Sequence, residues 1–303
     1  CFRFAVAVCV LRAEYHAGLG AGPVGALYGL LADRTDVTPT KGLNMKNALV
    51  TGAGHRLGRA IALYLAARGY DVAVHYASSV DGAQETVALI EQQGGRAVAL
   101  QADMLDDAEV ERLFDAASTA LGGPITCLVN NASIFEYDTI QSATRETWDR
   151  HMQSNLRAPF ILTQKLAAQG LKPGKDAAGE PVAAAVIVNM IDQRVRKLTP
   201  EFMTYTLAKM GLWAMTQTTA QALAPAIRVN AIGPGPTLQG ARQAPEQFAR
   251  QRASTVLERG ANPQDITAAL GYILDAPAVT GQLLCIDGGQ HLGWQTPDVM
   301  GVE

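Results

Sequence analysis

Tyr205 and Lys209, in the stretch "YTLAK", are four residues apart, so a helix sets them on one face, one turn removed. An ammonium beside a phenol lowers the phenol's pKa and fits it for proton transfer near neutrality. Upstream, Asp192 closes the apolar run "VAAAVIVNMI". A carboxylate there offers an acceptor for N–H groups or, partly desolvated, a store for a proton. A second cluster lies in "TGAGHRLGRAIA", residues 51–62. Gly52 and Gly58 bracket a turn at the mouth of a helix, where backbone N–H groups and the helix dipole suit a pyrophosphate. His55, Arg56 and Leu57 fill the turn, with Arg56 standing where a further glycine would make it easy to close. A guanidinium can meet both a phosphate oxygen and the acceptor edge of a heterocycle. The plainer reading is that Arg56 only neutralises phosphate.

Elements able to hold these groups alternate along the chain from about residue 45. Seven short apolar runs, "NALVTG", "DVAVHYA", "RAVALQAD", "ITCLVNNAS", "VAAAVIVNMI", "IRVNAIGPG" and "QLLCID", read as strands. Between them lie helical patterns, including one long helix over "TRETWDRHMQSNLRAPFILTQKLAAQG" with Pro159 inside it. "LKPGKDAAGEP" reads as a surface loop, and the stretch from the sixth strand to Gly260 as irregular. Near-continuous apolar strands alternating with helices predict an α/β fold: a single Rossmann-type, doubly wound parallel sheet with helices on both faces. Ligands on such sheets bind beyond the carboxyl ends of the strands. The polar and glycine residues gather there: Ser78 and Ser79, Asp103 and Met104, Asn131, Ala132 and Ser133, and Pro234 and Gly235. The second strand ends in "HYASS", without the acidic residue that holds a ribose 2′-hydroxyl, so NADPH is favoured over NADH. Asp103 suits the adenine amine or, equally, a helix cap.

The chain has 303 residues, is 48% hydrophobic and 17% charged, and carries a net charge of −3. No basic field suggests nucleic acid or an anionic membrane. The opening "CFRFAVAVCVL" falls short of the roughly 20 residues that span a bilayer. Residues 1–44 are expected to be a poorly structured extension or the product of a start assigned too far upstream, and 45–303 a single dinucleotide-binding domain. The four cysteines, Cys1, Cys9, Cys127 and Cys285, lack metal-ligand spacing, so no metal site is expected. Cys127 and Cys285 read as core thiols of a reducing, cytoplasmic setting.

Taken together, "TGAGHRLG", "NNAS", "YTLAK", "GPGP" and "TGQLLCIDGG" resemble the short-chain dehydrogenase/reductase family over roughly residues 45–292. The resemblance implies that Tyr205 donates the proton, Lys209 holds the nicotinamide ribose and Asn155 supports a water relay. It also implies a homodimer or homotetramer. Two positions depart from the common pattern: Arg56 replaces a glycine and Asp192 a serine. That pair, with Phe135 in "NNASIF", resembles the pteridine reductases and bacterial dihydromonapterin reductases, where an aromatic ring covers the substrate.

The two exchanges make chemical sense together. A ketone oxygen gains negative charge during hydride transfer and needs a neutral donor, which a carboxylate is not. A pterin presents N–H groups that an ionised Asp192 accepts from, Phe135 stacks on its flat ring, and Arg56, Asp192, Phe135 and Tyr205 make the substrate set. The expected activity is NADPH-dependent reduction of a pterin-type C=N bond. A carbonyl reductase or alcohol dehydrogenase is the alternative, and a non-catalytic dinucleotide-binding regulator the alternative of another class. Plainer readings make Phe135 a core or lid residue and Asp192 a backbone cap, with another hydroxyl doing the serine's work. His75 and His151 are expected to be structural, and Arg194, Arg196 and Lys197 to form a solvated loop.

Overall fold

The computed structural model describes residues 46–240 and 243–295. The expectations for residues 1–44 lie outside them. Seven parallel strands form one sheet: β1 (Asn47–Val50), β2 (Asp71–Tyr76), β3 (Ala97–Gln101), β4 (Cys127–Asn130), β5 (Ala185–Met190), β6 (Ile227–Pro234) and β7 (Leu283–Ile286). Their order across the sheet is β3-β2-β1-β4-β5-β6-β7, so the winding reverses between β1 and β4. Alternate residues of each strand feed opposite cores. Val50, Val74, Val129 and Val188 pack on one face with Ile61 and Leu65 of α1 (Arg56–Ala67) and Leu270 of α8 (Pro263–Asp275). Leu49, Ala73, Leu128 and Ile187 pack on the other, against Phe114 of α3 (Asp107–Leu121) and Leu162 of α5 (Ala158–Ala168). Burial on both faces is why these strands lack the polar alternation of a solvated sheet.

The remaining helices are α2 (Val80–Gln92), α4 (Arg145–Met152), α6 (Met203–Leu223) and α7 (Pro245–Ala253). Three local expectations are corrected. The long helix carrying Asn155 is broken into α4, a wide π-type turn over Gln153–Arg157, and α5, which Pro159 enters in its first turn, where a missing N–H costs little. The surface loop after it contains a two-residue antiparallel pairing of Gly174–Lys175 with Pro181–Val182. The stretch read as irregular contains α7, which buries no residue and so shows no apolar period.

Candidate active site

The reversal between β1 and β4 brings two loops together. Thr51, immediately after β1, accepts at its hydroxyl from the backbone N–H groups of Asn131 and Ala132, both at 2.9 Å. Asn131 returns the contact, donating from Nδ2 to the carbonyl of Thr51 at 2.8 Å. This leaves no room for side chains. A Cβ on Gly58 would stand 2.2 Å from the Gly52 carbonyl oxygen, and one on Gly52, at φ +64°, 3.0 Å from Cα of Ala132. A bare backbone thus meets the start of α1, the geometry that binds an anion. His75 lies buried beneath: its Nδ1 accepts from the Gly52 N–H at 3.0 Å, so its Nε2 carries the proton and donates to the Ala102 carbonyl at 3.0 Å. Burial lowers its pKa and keeps it neutral. Arg59, on α1, ties the turn to α2 through the carbonyls of Gly54 and Gly82 and the carboxylate of Glu85.

Across the crevice, α6 presents Tyr205 and Lys209 inward, both buried. The Tyr205 phenol donates to Oδ2 of Asp192 at 2.9 Å, while Oδ1 accepts from the Arg194 N–H at 2.8 Å. Lys209 donates to the Met190 carbonyl at 2.8 Å, with its Nζ 5.7 Å from the centre of the Tyr205 ring. An acidified phenol, expected from the lysine's proximity, is not what forms. Burial first, then the Asp192 charge, hold the Tyr205 pKa well above that of an ordinary phenol, outweighing the Arg194 charge and a hydrogen bond with Ser133. Burial likewise raises Asp192, against the opposing pull of Arg194, Tyr205 and Lys209. It also lowers Lys209 to about 8. The pair Tyr205–Asp192 therefore holds protons more tightly than its parts would in water.

Asn155 sits in the π-type turn, a distortion frequent at functional sites. Its amide clasps the backbone of Ile134 from both sides, donating to the carbonyl at 2.8 Å and accepting from the N–H at 2.9 Å. That clasp fixes the segment between Ser133 and Phe135. Phe135 stacks on Phe202 at 4.3 Å with 6° between the planes, and meets Tyr205 edge-on at 4.7 Å. Tyr137 and the Arg194 guanidinium also contact the Phe202 ring, at 5.2 and 5.0 Å. Arg194 is thus part of the site's wall, not of a solvated loop. Phe202 and Tyr137 are not singled out by the sequence; the aromatics at 135, 137 and 202 carry no periodicity that would link them before folding.

Arg56 adopts φ +52°, the left-handed region where glycine is at ease, which explains why a glycine would close this turn more readily. Its fork donates to the carbonyls of Leu238 and Gln239 at 3.0 and 2.6 Å, tying the glycine turn to the segment after β6. Leu57 packs against the core under the turn. The His55 ring lies against Gly82, where an added Cβ would come within 2.1 Å of it. Ser78 is exposed and Ser79 half-buried, at the start of α2. Asp103 accepts from the Leu105 N–H at 2.9 Å, a local turn, while Asp106 caps α3. The Met104 side chain is in the core. Pro234 ends β6, and a Cβ on Gly235 would stand 2.6 Å from Asp287. The buried His151 accepts from the Glu136 N–H at 3.1 Å and bonds the Thr204 hydroxyl at 2.7 Å, so both ring nitrogens are engaged by the protein. Among the described residues no group of three or more His, Cys, Asp or Glu could hold a metal ion, and no helix is long and apolar enough to cross a membrane.

Residues 52–291 match the family model described as enoyl-(acyl carrier protein) reductase. The chain belongs to the short-chain dehydrogenase/reductase family of oxidoreductases. Among solved structures, FolM alternative dihydrofolate reductase 1 from Brucella canis, complexed with NADP, is 40% identical with a TM-score of 0.78, over 86% of this chain and 100% of that one. Its counterpart from Brucella suis, also with NADP, is 42% identical with a TM-score of 0.77, over 84% and 98%. The 3beta-hydroxysteroid dehydrogenase 1 of Eggerthella lenta is 35% identical over 82% of this chain and 95% of its own length. As an oxidoreductase of this family, the chain carries a tyrosine, lysine and asparagine at the crevice, together with a carboxylate bonded to the tyrosine.

Proposed function

We propose that this oxidoreductase uses NADPH to reduce a pterin-type C=N bond, converting a dihydropterin to a tetrahydropterin. The observation that carries the reading is the bond between the Tyr205 phenol and the buried carboxylate of Asp192. A carboxylate there opposes the negative charge that grows on a ketone oxygen, but accepts from ring N–H groups and delivers a proton to a ring nitrogen. Phe135 offers a flat ring 4.7 Å from Tyr205, suited to stacking on a heterocycle. The likeness to NADP-bound alternative dihydrofolate reductases supports the same reading.

The dinucleotide fits this crevice: Gly52 and Gly58 keep the turn at the start of α1 free of side chains, since a Cβ on either would crowd the neighbouring backbone, and its N–H groups stay open to a phosphate. Gly52–Gly58, Asn131–Ser133 and Pro234–Gly235 would hold it, with Asp103 and the Met104 backbone at the adenine end. Lys209 would release the Met190 carbonyl for the nicotinamide ribose. The absence of an acidic residue at Ser78 and Ser79 leaves nothing to repel a 2′-phosphate. Bound there, the dinucleotide supplies the hydride. The chain's own work is to stack the substrate on Phe135, orient its N–H groups on Asp192, and pass a proton from the Tyr205 hydroxyl, which Asp192 replenishes. A cytoplasmic homodimer or homotetramer belongs to this reading, in keeping with free thiols at Cys127 and Cys285.

Purified protein given NADPH and dihydrobiopterin or dihydromonapterin is expected to oxidise the cofactor, and to do so more slowly with NADH. Brisk reduction of simple ketones with no turnover of any pterin rejects the reading. The carbonyl-reductase alternative draws on the hydroxysteroid dehydrogenase relative and on the Ser133 hydroxyl beside Tyr205. Asp192→Ser separates the two, impairing a pterin reductase and favouring a ketone reductase.

A further inference from the structure

Phe202 stands immediately before α6 with φ +55° and ψ 48°, left-handed values that bulky residues avoid. The position is the helix cap, where Ser, Thr, Asp and Asn prevail, yet Phe202 has no group to cap α6, and the Asp138 carboxylate, from another segment, accepts from the Thr204 N–H at 3.2 Å instead. An aromatic there breaks two local rules together. Strain of this kind persists where the surroundings over-determine it, and it clusters at functional sites. Three ring contacts do so here: Phe135 at 4.3 Å and nearly parallel, Tyr137 edge-on at 5.2 Å, and the Arg194 guanidinium at 5.0 Å.

We infer that Phe202 and Arg194 are positioning residues for substrate recognition, a stack of guanidinium, Phe202 and Phe135 that sets the plane against which the substrate ring lies. The inference rests on the pterin reading and adds to it the part that makes the site selective for flat substrates. Arg194 acts on both sides of that substrate. Its backbone N–H fixes Asp192 at 2.8 Å, and its side chain backs the aromatic stack. Its Nε is buried without a hydrogen-bond partner while its Nη1 donates to the Thr199 hydroxyl, so that bond and the contact with the ring together set its orientation. Phe135, itself 44% exposed, is thereby held parallel to Phe202 and edge-on to the Tyr205 phenol. A flat ring gains from a pre-set plane, whereas an aliphatic ketone gains little.

The test compares Phe202→Gly, Phe202→Tyr and Arg194→Leu with the parent for dihydropterin KM and kcat, NADPH Kd, and Tm. Glycine relieves the left-handed backbone while deleting the ring, which separates a structural role from a positioning one. Phe202→Gly is expected to raise KM about five- to tenfold, with NADPH Kd within about twofold and Tm not lowered. Arg194→Leu is expected to raise KM in the same sense, and Phe202→Tyr to restore the parent KM. An unchanged KM in Phe202→Gly, or a KM that falls because the ring was plugging the slot, overturns the inference. A fall in Tm of several degrees with KM unmoved does the same. A parent enzyme inert toward every dihydropterin instead removes the pterin reading, and the inference with it.

Discussion

The Tyr205 phenol and the Asp192 carboxylate share a hydrogen bond of 2.9 Å inside the crevice, and burial raises the pKa of both. The two titrate as a pair. Asp192 takes up a proton at higher pH than an ordinary carboxylate, so the doubly protonated pair becomes populated as pH falls through that raised value. If the pair supplies the proton, kcat/KM for a dihydropterin rises as pH falls through that range. Asp192→Asn, unable to recharge Tyr205, is expected to lower kcat roughly 100-fold and flatten the profile. A pH–rate series on both proteins checks this. Activity that instead declines on acidification assigns Asp192 the role of ionised acceptor.

Lys209 is the buried cation of the site. Its folded pKa of about 8 lies below the 10.5 of a free lysine, so below pH 8 the folded chain carries a charge that burial penalises. This cost disappears as pH rises from 8 to 10.5. Lys209→Met is expected to be more stable than the parent at pH 7 by roughly 1–2 kcal/mol, the relieved desolvation less the lost bond to Met190. The gain should vanish by about pH 10. The same variant should lose activity. Denaturant melts at the two pH values decide it, and a variant less stable than the parent at pH 7 contradicts it.

Much of this arrangement is legible in the chain because it depends on local pattern. The seven apolar runs predict the sheet, since strands buried on both faces need no alternation. The spacing of Tyr205 and Lys209 predicts their shared helix face. What stays hidden depends on tertiary approach. Phe135, Tyr137 and Phe202 come from two segments and form one wall only after α6 docks. The direction of the Tyr205 shift was misjudged because burial and the Asp192 charge, both products of folding, outweigh the lysine. α7 buries no side chain and so leaves no apolar signature. The fork of Arg56 was expected between pyrophosphate and substrate, yet it closes on the carbonyls of Leu238 and Gln239, partners some 180 residues away.

His75 links the cofactor turn to pH. Its Nδ1 accepts from Gly52 and its Nε2 donates to Ala102, a pattern only the neutral ring can make. Burial depresses its pKa below 6.5 against the weaker opposing effects of the Ala102 carbonyl and Asp103. The folded state therefore binds protons less readily than the unfolded one, and the stabilisation is complete above about pH 6.5. It is lost as pH falls from there through the folded value. His151, lowered mainly by burial against Asp138 and Glu136, acts in the same sense. Thermal melts from pH 8 to 5 should show Tm falling below 6.5, with a shallower fall in His75→Gln. An equal slope in that variant removes His75 from the account.

Arg56 sets backbone strain against contact. Its φ of +52° costs an L-residue about 1 kcal/mol or more, a penalty that Arg56→Gly removes. The same substitution deletes two hydrogen bonds, to Leu238 and Gln239, that hold the segment after β6 against the glycine turn. Each such bond at an exposed site is worth about 1 kcal/mol or less, so the net effect on stability should be small, within about 1 kcal/mol either way. Function should move much further on the proposed reading, in which the guanidinium gives up these carbonyls for the phosphate and the acceptor edge of the substrate. Arg56→Gly is expected to raise the dihydropterin KM at least tenfold and to weaken NADPH binding by a smaller factor. Arg56→Lys, which keeps the charge without the planar fork, should recover NADPH binding more fully than KM. If lysine restores both in equal measure, Arg56 serves the phosphate alone, and the substrate is recognised by Asp192 and Phe135 without it.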